Sequence, residues 1–136
     1  MQKPKFTMEL KVFGNTTLRE VKENFSHYFP SLKLEFYQYQ HQTQDHHSKR
    51  EAHKGLHPEE ASEFFKEGTI FFSANTTVAE LEQEFQIELG LAAKIFRKSG
   101  VSWVDTSQTS HLTLSRQNNM GGAVLRMQFN RHTLFL

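Results

Sequence analysis

The chain has 136 residues, a formal net charge of +1 and no cysteine. Disulfides and thiolate chemistry are therefore excluded, and no global field draws the molecule onto nucleic acid or an anionic membrane. Hydrophobic residues make up 37% of the chain and 13 are Phe, too aromatic for a disordered polymer, and the length suits one well-buried core or two marginal ones of about 65 residues each.

Phe6, Met8, Leu10 and Val12 alternate with Thr7, Glu9 and Lys11, the period-two pattern of a strand with one wet face. Charges interrupt that run, so it does not read as the apolar core of a secretory signal. No window approaches the roughly 18 apolar residues that a membrane-spanning helix needs. A cytoplasmic protein with no membrane partner is the default expectation. Gly14 and Asn15 turn the chain into a helix predicted from about Thr17 to Phe29, and Pro30 ends it. Leu32, Leu34 and Phe36 alternate again as a second strand, to about Tyr39.

Residues 40–55 are rich in Gln, His, Asp, Ser and Lys and read as an exposed polar loop. Leu56, His57 and Pro58 open a short helix, anchored by Ala61, Phe64 and Phe65 and stopped by Gly68. Thr69 to Ser73 is apolar on both faces, which predicts an interior strand. A second helix follows and ends at Gly90, a left-handed cap. Ala93–Arg97 and Val101–Val104 make a hairpin around Lys98, Ser99 and Gly100. Asp105 to His111 is a Ser/Thr-rich loop, Leu112 to Gln117 one helical turn, and Gly121-Gly122 its release. Ala123, Leu125, Met127 and Phe129 alternate as a last strand, and the tail Leu134-Phe135-Leu136 is expected to pack against something.

One stretch is written twice. Asn15-Thr16-Thr17-Leu18-Arg19-Glu20-Val21-Lys22-Glu23-Asn24-Phe25 returns 60 positions later (75 − 15) as Asn75-Thr76-Thr77-Val78-Ala79-Glu80-Leu81-Glu82-Gln83-Glu84-Phe85. Each copy opens with residues that cap a helix, then sets an apolar stripe at helical spacing. The stripes are Leu18, Val21, Phe25, Phe29 and Val78, Leu81, Phe85, Leu89. The expected fold is α+β and a single domain, 1–136, internally duplicated as strand–helix–strand units of about 6–66 and 67–130. Two helices would pack on one face of a mixed sheet of about five strands. The predicted core is Leu10, Val12, Val21, Phe25, Ile70, Phe72, Leu81, Phe85, Ile95, Leu125 and Met127.

The second half, about residues 69–130, resembles the later part of the ubiquitin-like β-grasp fold. Thr77-Val78-Ala79-Glu80-Leu81 matches its helix start, Gly90 the helix end, Lys94-Ile95-Phe96 the next strand, and Leu112-Thr113-Leu114-Ser115 the short turn before the last strand. The family's C-terminal diglycine is absent, since Gly121-Gly122 precedes a strand, so conjugation chemistry is not implied. What the resemblance implies is a small sheet-and-helix module of a kind often used to bind other proteins.

Three kinds of chemistry can be weighed. His41, His46, His47, His53 and His57 cluster with Asp45 in the polar loop, and imidazole is the commonest transition-metal ligand. Their spacings match no zinc signature, so a solvated loop is the simpler reading, with His41, His46 and His47 as its metal candidates. No cofactor is expected. Between Lys94 and Arg131 six basic residues face the single acid Asp105, interleaved with Phe96, Trp103 and Phe129 as in single-strand nucleic-acid binders. The candidates there are Arg97, Lys98, Trp103, Arg116 and Arg126, against the simpler reading of a charged solvent face beside Glu80, Glu82, Glu84 and Glu88. Asp45 with His46, or Ser107 with His111, would serve acid–base or nucleophilic work only if held rigidly. No phosphate loop or hydrolase motif accompanies them, so catalysis is not expected. The leading expectation is a non-catalytic protein-interaction module whose partner is another protein or a second copy. An open strand edge or the apolar tail would serve it.

Overall fold

The structure, a computed structural model, describes residues 7–38, 54–55 and 66–122. Most of the polar loop, the short helix after Leu56, the strand from Ala123 with core candidates Leu125 and Met127, and the C-terminal tail lie outside the described residues. So do His41, His46, His47, Asp45 and Arg126.

Both copies of the repeated stretch are helices with the same reciprocal start. In α1 (Leu18–Tyr28) the Glu20 N–H donates to Thr17 Oγ1 at 3.2 Å while the Thr17 N–H donates to Glu20 Oε1 at 2.9 Å. In α2 (Val78–Glu84) Glu80 and Thr77 do the same at 3.1 and 2.9 Å. Each pair satisfies two backbone donors that the first turn leaves without a partner. Phe29 caps α1, with Pro30 next. The second helix differs: after Glu84 it runs through one π turn, Phe85–Leu89, to Gly90 in the left-handed region at φ 69°. A π turn takes one residue more than an α turn. The buried positions still match at 60 residues through this turn, Phe29 against Leu89 (89 − 29).

The strands are β1 (Thr7–Val12), β2 (Leu32–Gln38), β3 (Lys54–Gly55), β4 (Gly68–Ser73), β5 (Ala92–Ser99) and β6 (Ser102–Asp105). They do not form one mixed sheet. Among the described residues β1 pairs with β4 alone, and a second sheet runs β3-β2-β5-β6, with every pairing antiparallel. The partners come from opposite halves of the chain: Leu10 lies opposite Ile70, and Leu34 opposite Ile95. The strands that pair across the halves, β1 with β4 and β2 with β5, run in opposite directions, so the expected mixed pairing is not seen. β5 and β6 form the expected hairpin. Its two-residue connection is Gly100-Val101, with positive φ at Gly100 only, the pattern of a type II′ turn.

One apolar cluster joins the two sheets and both helices. Leu18, Val21 and Phe25 of α1 and Val78, Leu81 and Phe85 of the second helix are all buried, together with Leu10, Ile70, Leu34 and Ile95. Phe36 meets Phe85 ring to ring at 5.3 Å, and Phe25 meets Phe72 at 6.1 Å.

The segment after β6 departs from expectation. Residues 114–122 form a helix, α3, longer than the one turn expected and taking in Gly121 and Gly122. Its start and that of α2 exchange backbone bonds. Val78 and Ala79 donate to the carbonyls of Leu112 and Ser110 at 3.1 and 2.9 Å, and Leu114 and Ser115 donate back to Thr76 and Ala74 at 2.8 and 3.0 Å. Buried Gln117 accepts from Arg97 at 2.7 Å and donates to the Thr109 carbonyl at 2.7 Å. Asn118 accepts from the Ser31 N–H at 2.8 Å. Gly121 is there for close approach, because a Cβ on it would stand 2.8 Å from Ser31 Cβ and 3.2 Å from the Lys98 carbonyl.

Beyond the end of β6, side chains take over the edge of β5. Ile95 N–H donates to Glu82 Oε2 at 3.1 Å, and buried Thr106 donates to the Ile95 carbonyl at 2.6 Å. Burial pushes the Glu82 carboxyl above its ordinary value of 4.5, with Asp105 adding to the rise, against the Ile95 bond and Lys94, which pull it down.

Truncating Phe25 or Phe85 to Ala should cost about 3–5 kcal/mol each in denaturant titrations; a near-neutral result for either would contradict the shared core. Gly121→Ala should destabilise by about 1–3 kcal/mol, because the clash with Ser31 and a backbone carbonyl outweighs the ~1 kcal/mol that Ala gains over Gly in a helix. Glu82 sets a pH dependence whose sign follows from its raised value. Ionisation of the folded state costs nothing below the ordinary value, and the penalty grows as pH climbs through the raised one. Glu82→Gln, whose amide oxygen still accepts from Ile95, should therefore melt at or above the wild type at neutral pH. That gap should close as pH falls toward about 4.5.

Candidate functional site

β4 alternates strictly. Ile70 and Phe72 enter the core, so Phe71 between them must point the other way, and it is 60% exposed. The sequence predicts an interior strand here. Among the described residues no element covers the outer face of β4. The π turn sets Ile87 beside it, 56% exposed. Phe71, Thr76, Glu80, Gln83, Glu84 and Ile87 line an open groove of about 410 Å³. Thr76 and Glu80 are held by local bonds, Oγ1 of Thr76 accepting from the Ser73 N–H at 2.9 Å and Glu80 closing its capping box. The groove wall is therefore rigid where it meets the helix start, and apolar at Phe71 and Ile87.

The first half supplies a control for these positions. Sixty residues before Phe71 stands Lys11, and sixty before Ile87 stands His27 (71 − 11, 87 − 27), both exposed on the matching strand and helix. A strand and helix of this kind thus tolerate polar residues there.

The nucleic-acid candidates divide. Lys98 and Trp103 are cross-strand partners on the outer face of β5 and β6, with the Lys98 ammonium 5.9 Å from the indole. Lys33 from β2 lies nearer, 4.9 Å from Trp103 and 5.7 Å from the Phe96 ring. Arg97 is turned to the opposite face, where it binds Gln117, and Arg116 is exposed on α3. Carboxylates offset the same face: Lys33 pairs with Glu35 at 3.5 Å and Lys94 with Asp105 at 3.6 Å. Burial raises the Tyr37 hydroxyl on that face, and Glu35 and Asp105 raise it further.

Ser107 is bonded to Lys94 and Asp105 and not to His111. It accepts from Lys94 Nζ at 2.6 Å and its hydroxyl donates to Asp105 Oδ1 at 2.6 Å. Burial alone would raise the Asp105 carboxyl, but two bonds from Ser107 and the nearby Lys94 outweigh it and hold the group low. The Ser107 N–H also donates to Asp105 Oδ1, at 2.8 Å, so the trio closes the turn after β6. His111 is exposed beyond it. Among the described residues no group of three His, Asp or Glu is placed to hold a metal ion, and no helix is long and apolar enough to cross a membrane.

The groove escaped sequence reasoning because Phe71 sits in a run of apolar residues that reads as interior. Aligning the two copies position by position carries the missing signal, since Phe71 against Lys11 and Ile87 against His27 are the discordant pairs. No protein-family model, no characterised protein and no solved structure matches this chain.

Proposed function

We propose that the chain is a non-catalytic protein-interaction module, built from two copies of one strand–helix–strand unit, that docks another protein in the groove between Phe71 and Ile87. Duplication is supported by the repeated stretch, its two identical capping boxes and the equivalence of Leu10 and Ile70, which are 60 positions apart (70 − 10) and face one another. The observation that carries the function is the exposure of two large apolar side chains where the first unit has Lys11 and His27. Exposed apolar groups that folding does not demand mark contact surfaces. The ubiquitin-like likeness adds little, because α3 occupies the place where that family has a short turn. A cytoplasmic setting belongs to the same reading.

Magnitudes limit the groove to modest affinity by itself. Burying Phe71 and Ile87 contributes roughly 1.5–3 kcal/mol each, whereas micromolar binding requires about 8 kcal/mol. Neighbouring polar contacts or strand addition must supply the rest.

The second reading, single-stranded nucleic acid on the outer sheet face, has one observation in its favour, the pairing of Lys98 with Trp103. The carboxylates of Glu35 and Asp105 on the same face weigh against it.

Replacing Phe71→Lys and Ile87→His together copies the first unit onto the second. The double variant should melt within a few degrees of the wild type, since surface substitutions of this kind change stability by only about 0.5 kcal/mol. It should lose the proteins that the immobilised wild-type chain retains from native lysate. An unchanged set of captured proteins would refute the groove. Salt-sensitive oligonucleotide binding abolished by Trp103→Ala and Lys98→Ala would favour the second reading instead.

A further inference from the structure

Resting on that reading of the groove, we infer that its partner presents a basic–apolar segment, with apolar side chains for Phe71 and Ile87 flanked by lysine or arginine. The two helices carry different charge. From Leu18 to Tyr28, α1 has Arg19 and Lys22 against Glu20 and Glu23. From Val78 to Leu89 the second helix has Glu80, Glu82, Glu84 and Glu88 and not one lysine or arginine. The cations of the first helix fall at positions that read Ala79 and Glu82 in the second.

Two of these four carboxylates are already committed, Glu80 to the Thr77 N–H and Glu82 to the Ile95 N–H. Glu84 lines the groove, and Glu88 is exposed next to Ile87. Across the strand pair, Glu9 lies directly opposite Phe71. Lys11, opposite Thr69, is the one cation that β1 sets on this face. Among the described residues acid thus lies on both the strand side and the helix side of the apolar pair, with Lys11 on β1 and Lys66, whose N–H donates to the Leu89 carbonyl, as the cations nearby.

A cationic partner gains attraction from Glu84, Glu88 and Glu9 as it approaches, and an acidic one is repelled, so charge selects the partner and speeds its encounter. The π turn contributes by presenting Ile87 between Glu84 and Glu88, and such turns inside helices recur at functional sites.

The test is to pan a random peptide library displayed on phage against the immobilised full-length chain, with the Phe71→Lys/Ile87→His variant in parallel. Sequences pairing apolar residues with lysine or arginine should be enriched on the wild type and lost on the variant. Charge reversal by Glu84→Lys should weaken the selected peptides about tenfold at low salt, with the difference shrinking near 0.5 M salt as the charges are screened. Acidic or uncharged sequences that still depend on Phe71 and Ile87 would overturn the basic partner while sparing the groove. Peptides binding wild type and double variant equally would overturn the partner class, and the lysate comparison then decides the groove separately. Self-association of the wild type that disappears in the double variant would assign the groove to a second copy and overturn the proposal.

Discussion

Strand pairing across the two halves is the constraint on which the rest of the molecule depends. β1 finds its partner in β4 and β2 finds its partner in β5, so each half needs the other to satisfy its backbone. Leu10 opposite Ile70 and Leu34 opposite Ile95 place apolar side chains from both halves side by side on the core faces. The helices then have one surface to cover, and Phe25 and Phe85 reach it from equivalent positions. Neither half, at about 60 residues, would bury enough on its own to be more than marginal.

That arrangement leaves freedom only on the outside. Alternation sends Ile70 and Phe72 inward and forces Phe71 outward, whatever residue occupies position 71. Sixty positions earlier (71 − 11) the first half has a lysine, Lys11, where the second half has a phenylalanine. The π turn breaks the parallel between the copies at the same place, bringing Ile87 beside Phe71. Differences in residue type and in backbone between the two stretches thus coincide at one groove, while both helices bury their apolar stripes.

Charge follows the same division. On the outer face of the larger sheet, Lys33 and Lys94 are met by Glu35 and Asp105, so its cations are largely answered locally. The second helix carries no lysine or arginine of its own between Val78 and Leu89. Segments that the core does not regulate carry the differences in sign, and these govern approach and partner choice more than stability. Glu82 is the exception, a carboxylate spent on capping the β5 edge at the cost of partial desolvation.

Local chemistry was legible in the amino-acid order alone: both capped helices, the left-handed Gly90, the Gly100 hairpin and the oily stripes that fill the core. Each depends on residues within a few positions of one another, so spacing suffices to reveal it. Which strands would pair was not legible, because apolar alternation marks a strand's inner face without naming its neighbour. Gly121 read as a helix breaker, yet the folded chain uses its missing side chain to bring α3 against Ser31 and Lys98. Phe71 read as interior because a run of apolar residues cannot say whether a second layer will cover it. Contacts between residues far apart in sequence decided those three questions, and such contacts exist only once the two halves have closed on each other.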